Sequence, residues 1–351
     1  MSRLQKIQHS VERQWYSKPT WLYALAPLSG VFLGVSRLRK KYQQHKAYKA
    51  ACPVIVVGNI AVGGTGKTPV IIALAKALKD AGFMPGIVSR GYGASMTTDG
   101  LVHALPFGAD AHTYGDEPVL IAQKSDCPVW IATDRVAAVK AAEYAGCNVI
   151  LADDGLQHYK MGRSFELVVQ DANRGTGNGW CLPVGPLREL PERLNSVDYV
   201  LNNSSEQSEL ASSNNAFSLK PAGWVNVKTG LCQALTALPW RGETGTKQRV
   251  LAVAGIGNPA RFFKTLQRLE VFFKPQSFPD HHAFSAQDFA LANGLPVVMT
   301  AKDAIKCQHF AEENWWYLSV EADLPQDLLH RIIQHCEMFE STKPVIVTPQ
   351  K

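Results

Sequence analysis

The sequence predicts an α/β protein of two lobes: a parallel-sheet domain carrying a phosphate-binding loop, then a smaller α/β domain, with a membrane-associating helix at the N-terminus. Three observations carry this. Residues 54–69, VIVVGNIAVGGTGKTP, are a β-branched run broken by glycines and closed by Lys-Thr-Pro. From residue 53 onward, short apolar stretches alternate with helix-patterned ones, the order that builds a parallel sheet with helices on both faces. Ahead of all this, residues 19–35 hold no charge and run into RLRKK.

The N-terminal segment comes first. Of 36 Lys/Arg and 30 Asp/Glu, residues 1–50 hold ten bases and one acid, leaving 26 bases and 29 acids for a mildly acidic body. The run PTWLYALAPLSGVFLGV would reach about 25 Å as a helix, short of the roughly 30 Å hydrocarbon core, and Pro27 is expected to bend it. Aromatic and cationic flanks fit a segment that dips into the cytoplasmic leaflet with its bases on anionic headgroups. The alternative is a helix packed on the body with solvated charges. The bases are not interleaved with stacking aromatics and no DNA- or RNA-binding motif follows, so nucleic acid is not an expected partner. Seven cysteines without a C-x-x-C pair point to a reducing compartment. Cys307, His309, His335 and Cys336 have no recognised zinc-ligand spacing.

Next come the elements of the first lobe. PVIVVGN reads as a buried strand and PVIIALAKALKDAG as a helix with Val70, Leu74, Ala77 and Leu78 on one face. MPGIVSRGYG gives a strand and turn, EPVLIAQKS a helix, PVWIAT a strand, DRVAAVKAAEYAG a helix, and CNVILADDG and FELVVQDA two more strands. Near residue 190 the texture changes to proline-punctuated LREL-PERL and polar SEQSELASSNN. A second series starts at RVLAVAGIGNPARFFKTLQRL and ends at WWYLSV, where Gly255-Ile256-Gly257-Asn258-Pro259 reads as a turn at the cleft. We expect 1–50 as the N-terminal segment, 51–194 as the P-loop NTPase-like domain, 195–325 as the smaller domain, and 326–351 as a C-terminal helix and tail able to cross back to the first domain.

The chemistry centres on Gly63, Gly64, Thr65, Gly66, Lys67 and Thr68, between a strand and a helix. There, backbone N–H groups and the helix dipole cradle phosphates. Lys67 would reach the β/γ oxygens and the Thr68 hydroxyl would bind Mg²⁺. The general G-x-x-x-x-G-K-[ST] pattern has glycine where this chain has Ala61. Asp153 and Asp154 close a buried strand, where paired acids are costly without a cation. A nucleotide triphosphate with Mg²⁺ is the ligand this combination predicts.

Taken jointly, VVGN-(x)4-GGTGKTP, SRGYG (89–93), GDEP (115–118), ADDGLQH (152–158), PVGPLRE (183–189), FPDHHAF (278–284) and TAKDAIKC (300–307) closely resemble the tetraacyldisaccharide 4′-kinase family of lipid A biosynthesis, over about residues 15–335. The resemblance implies ATP as phosphate donor and an acylated glucosamine disaccharide phosphate lipid as acceptor. It also implies a cytoplasmic-face, inner-membrane location, peripheral or monotopic, and catalysis in the cleft between two domains. Carried over by position, Asp116 would receive the hydroxyl proton with help from a histidine, His281 before His282, in a pair formed on domain closure. Arg188 would stabilise the transferring phosphoryl group, and Glu189 would hold that arginine or reach the Mg²⁺ shell. Glu117 would give support, while Arg90, His282, Lys302 and Lys306 are candidate substrate contacts. The competing readings are a P-loop switch ATPase of the partitioning or carrier type and a membrane-associated nucleotide-binding adaptor. The switch ATPases usually carry a lysine at the place of Ala61, and the adaptor leaves GDEP and DHH without a role.

Overall fold

The computed structural model describes residues 11–17, 21–92, 94–204, 214–240 and 248–341. Part of the polar loop at 205–215, Gly93 of SRGYG, Pro19 and Thr20 of the apolar run and the tail from 342 lie outside these residues.

A 3₁₀ turn at Trp21–Leu25 leads into α1, Ala26–His45. Pro27 lies in the first turn of this helix, where its missing N–H removes no intrahelical bond, so the expected bend in mid-helix is not made. The helix also continues through the basic cluster. Trp21–His45 is 25 residues long and apolar enough to cross a membrane by length and composition, with 11% of its most apolar window buried. One side of α1 sits on the body: Phe32 and Leu33 pack against a buried core and Ser29 Oγ donates to the Cys181 carbonyl at 2.8 Å.

The first lobe is a sheet of β1 (Val54–Gly58), β2 (Pro85–Ser89), β3 (His103–Ala104), β4 (Val129–Ile131), β5 (Val149–Asp153), β6 (Phe165–Asp171) and β7 (Tyr199–Asn203), in the order β3-β4-β2-β5-β1-β6-β7. All neighbours are parallel except β3 with β4. Every residue of β1, β2 and β5 is buried, as expected for strands covered on both faces. One face is covered by α2 (Lys67–Asp80) and α3 (Asp116–Ser125), the other by α4 (Arg135–Tyr144). Val70, Leu74 and Leu78 anchor α2, each contributing about 1.5–3 kcal/mol by leaving water.

The chain changes lobes later than the sequence indicated. β7 extends the first sheet by parallel pairing with β6, because Tyr199 and Leu201 are buried in the first core. The crossing strand is β8 (Ala216–Asn226): its first two residues pair with β7, and Ser218–Asn226 run antiparallel to β13 (Trp315–Asp323). Thus the expected boundary at 195 falls before the last strand of the first sheet. β9 (Cys232–Gln233) returns along β8. The second lobe continues with β10 (Val250–Ala254), α5 (Pro259–Arg268), β11 (Phe273–Ser277), β12 (Val297–Thr300) and α6 (Ala301–Cys307), in sheet order β11-β10-β12-β13-β8. Finally α7, Gln326–Ser341, packs Leu328, Ile332 and Cys336 into the first lobe's core.

Candidate active site

The phosphate-binding loop joins β1 to α2. Its turn is made at Gly63 and Gly66, with φ of +120° and +92°. A Cβ at Gly66 would stand 2.5 Å from Asn203 Nδ2, so only glycine fits. Ala61 lies before this turn, buried in the core and bridged to Leu187 through backbone, where a methyl group packs well. The residue that departs from the general pattern is therefore a core residue here. Thr68 lies in the first turn of α2 and lines the cleft.

The ends of β2 and β5 carry the acids. Asp153 is 3% exposed, and its Oδ2 accepts from Ser89 Oγ at 2.9 Å. Burial pushes its carboxyl up to about 7, helped by the negative charges of Glu117 and Asp154. Asp154, at φ +48°, points the other way: Oδ1 is 3.2 Å from Lys67 Nζ and Oδ2 accepts from Arg188 Nη1 at 2.9 Å. Burial acts to raise this group too, but Lys67 and Arg188 hold it well below the usual carboxylate range. Arg135, 2% exposed, donates to the Asp153 carbonyl at 3.0 Å.

This donor set fits Mg²⁺. Hard oxygens from Thr68, Asp153 and Asp154 line one cleft with Glu117, and a buried carboxyl whose charge is disfavoured gains from a cation. Among the described residues, no three His, Cys, Asp or Glu groups are arranged to hold a metal alone. Glu189 does not join this set. Its Oε1 accepts from Gln157 Nε2 at 2.9 Å, its Oε2 from the Tyr159 hydroxyl, and Arg193 and Lys40 stand 3.5 and 3.6 Å away. With four donors around it, Glu189 serves Gln157, Arg193 and α1, and reaches Arg188 only through Gln157.

Asp116 opens α3 after Gly115 and is 6% exposed. His281, from the second lobe, comes to it: Nδ1 lies 3.2 Å from Asp116 Oδ2. The pair is therefore assembled across the lobes in this structure. Burial opposes the Asp116 charge, yet the His281 contact and Lys302 bring its carboxyl below the usual value. In turn the bond to Asp116 raises His281, against burial and the Lys302 charge. His281, Glu117 and Lys302 line the cleft while Asp116 sits behind them.

Three expected substrate contacts are engaged by protein groups. His282 turns into the second lobe, stacked on Phe278 at 4.6 Å between centroids and edge-on to Phe284, with Nε2 3.3 Å from Asp288. Flanking aromatic rings take it away from the cleft. Lys302 is spent on carboxylates, 3.0 Å from Glu117, 3.4 Å from Asp280 and 3.8 Å from Asp116. Lys306 is drawn to the buried Asp303 at 3.0 Å. Arg90 does line the cleft.

The cleft, about 2030 Å³, runs from the phosphate-binding loop between the lobes to α1, where Phe32, Leu33 and Arg37 form its far wall. Sequence reasoning missed Asn203 and Arg261. Asn203 Nδ2 donates to the Thr65 carbonyl at 2.8 Å, and Arg261 Nη2 donates to Asn203 Oδ1 at 2.6 Å. Neither lies in a recognisable motif; an amide closing a strand beside the loop was the one available signal. Gly257, at the glycine turn, does approach the loop: a Cβ there would be 3.5 Å from Gly64 N.

Residues 21–337 match the family model described as tetraacyldisaccharide-1-P 4′-kinase. Among curated proteins, the tetraacyldisaccharide 4′-kinase of Idiomarina loihiensis is 43% identical over 336 residues, covering 93% of this chain and 97% of that one. That of Pseudomonas putida strain W619 is 46% identical over 316 residues, with 88% and 90% covered. A crystal structure of LpxK from Aquifex aeolicus in complex with ATP superposes with a TM-score of 0.73 at 26% identity, covering 91% of this chain and 99% of that one.

Proposed function

The chain belongs to the tetraacyldisaccharide-1-P 4′-kinase family, and on that premise we propose how its cleft moves the γ-phosphate of ATP to the 4′-hydroxyl of a tetraacylated glucosamine disaccharide 1-phosphate. The observation that carries this reading is the single cleft shared by the phosphate-binding loop and His281, with Asp116 behind the histidine.

The amides of Gly63–Thr68 and the N-terminus of α2 hold the triphosphate. Lys67 and Arg188, both resting on Asp154, are cations aimed at the charge that spreads over the moving phosphoryl group. Thr68, Asp153 and Asp154, with Glu117 beside them, would hold Mg²⁺, which supplies neutralisation of the β/γ oxygens when bound. On the acceptor side, His281 faces the cleft and takes the hydroxyl proton while Asp116, behind it, keeps the ring oriented and stabilises its charge. Here the order of the pair differs from the expectation that Asp116 itself meets the hydroxyl. Arg90 extends the positive lining toward the acceptor.

The lipid would enter from α1. Leu28, Val31, Val35, Leu38 and Tyr42 recur at spacings of three and four and are 56–73% exposed, a continuous apolar stripe opposite the face that packs on the body. With Arg37, Arg39 and Lys41 exposed beside it, the stripe fits the cytoplasmic face of an inner membrane. A switch ATPase accounts for neither this stripe nor a proton-accepting pair beside the loop.

The test is transfer itself. Purified protein with γ-labelled ATP, Mg²⁺ and detergent-dispersed disaccharide lipid should label the lipid; ATP hydrolysis without labelled lipid would return the reading to a switch ATPase.

A further inference from the structure

We propose that Asn203 and Arg261 form a positioning relay through which the second lobe sets the phosphate-binding loop for ATP; this rests on the kinase reading above. Asn203 ends β7 and is 2% exposed. Its Nδ2 holds the Thr65 carbonyl at 2.8 Å, at the loop's tightest point, and it sits where any Cβ on Gly66 would collide. The loop's shape between Thr65 and Lys67 is thus fixed by a side chain two strands away from β1 in the sheet.

The other end of that amide is taken by a different lobe. Arg261, in the first turn of α5, donates from Nη2 to Asn203 Oδ1 at 2.6 Å. Among the described residues no carboxylate lies within ion-pair distance of its guanidinium, although it is half-buried and lines the cleft. Burial disfavours this cation and the Asp171 charge, beyond ion-pair distance, offsets that only in part, so its direct hydrogen bond to Asn203 fixes its orientation. Here it orients the amide, so Asn203 must present oxygen to Arg261 and nitrogen to Thr65. One donor on one side and an acceptor on the other leave a single orientation. The same turn of the second lobe brings Gly257 against Gly64, so the lobe meets the loop at two points. Closure of the lobe and the shape of the loop are therefore linked through one hydrogen-bonded chain, Arg261–Asn203–Thr65.

The experiment is a double-mutant cycle on the full chain, using Arg261→Ala, Asn203→Asp and both together. Asn203→Asp keeps an oxygen for Arg261 and removes the donor to Thr65. Each single variant should raise KM for ATP by about tenfold with the acceptor KM unchanged, and the double should be no worse than the worse single. Arg261→Lys, which keeps one donor, should recover part of the loss. Direct magnesium-free ATP binding by calorimetry should follow the same pattern. Effects that multiply in the double variant would mean that Arg261 touches ATP by itself, and would overturn the relay. A lowered melting temperature with unchanged KM for ATP would also overturn it, as a merely structural contact. Failure of the kinase reading is seen separately, as a wild-type protein that binds ATP but labels no lipid.

Discussion

His281 Nδ1 stands 3.2 Å from Asp116 Oδ2, although the two residues belong to different lobes and lie 165 positions apart in the chain. The histidine adopts φ +58° to reach this position, a backbone conformation that side-chain-bearing residues rarely take. It is a place where local strain is accepted for a contact between lobes. Asp116→Ala should lower kcat by about 10²–10⁴-fold, the range for removing a positioned acid–base group. ATP affinity should change little, because Asp116 does not line the cleft. Steady-state kinetics with a parallel binding assay separates the two; near-normal turnover would show that His281 does not depend on Asp116.

The same pair sets a pH dependence. Proton acceptance needs neutral His281 with ionised Asp116. His281 is raised above the ordinary histidine value of 6.5, first by its bond to Asp116, so kcat/KM should climb with pH through a midpoint above that value. In Asp116→Asn the residual activity should climb at lower pH. A midpoint that stays put in the variant would show that the titrating group is not His281. For stability the signs differ. The raised histidine contributes fully below 6.5 and loses its contribution as pH rises through its folded value. The lowered aspartate contributes above 3.8 and loses its contribution as pH falls through its folded value. The pair therefore stabilises most between those two ordinary values, which pH-dependent urea melts of wild type and His281→Ala can compare.

Chelation should abolish transfer, and Mg²⁺ should restore it. Asp154→Asn should raise the Mg²⁺ concentration for half-maximal activity by about 10–100-fold, since the variant loses a carboxylate and loosens Lys67 and Arg188. Titration of activity with free Mg²⁺ at saturating ATP reads this directly. An unchanged requirement would remove Asp154 from the metal's surroundings.

On α1, Val31→Asp with Val35→Asp should reduce binding to anionic liposomes by more than about tenfold, because both side chains are over half exposed on the apolar stripe. Activity on lipid in detergent should persist. Sedimentation with vesicles gives the answer, and unchanged partition would assign the stripe to another partner.

Asp303 is fully buried and holds the Gly255 amide at 2.9 Å, the Thr300 hydroxyl at 2.7 Å and Lys306 at 3.0 Å. Asp303→Ala should cost about 3–5 kcal/mol by leaving Lys306 buried without its partner. Adding Lys306→Met should recover much of that loss. Denaturant melts of the single and double variants test it; an additive loss would mean that the hydrogen bonds, not the ion pair, dominate.

What the sequence determined by itself is local. A β-branched run, glycines at fixed offsets and Lys67-Thr68 dictate strand, loop and helix within about fifteen residues, and α2 and β1 form there. Asp153 ends a buried strand and Asp154 follows it, so their place at the end of the sheet was legible too. Long-range packing decided the rest. Whether His281 or His282 meets Asp116 depends on which ring the aromatic cluster of Phe278 and Phe284 captures, and no spacing rule encodes that. Glu189 and Lys302 looked free for substrate or metal, yet nearby opposite charges claimed both. Tyr199 and Leu201 drew β7 into the first sheet because burying them there outweighed the proline-rich texture before it. Chain-local geometry is written in neighbouring residues, whereas pairing between lobes depends on which buried contacts win after the chain has collapsed.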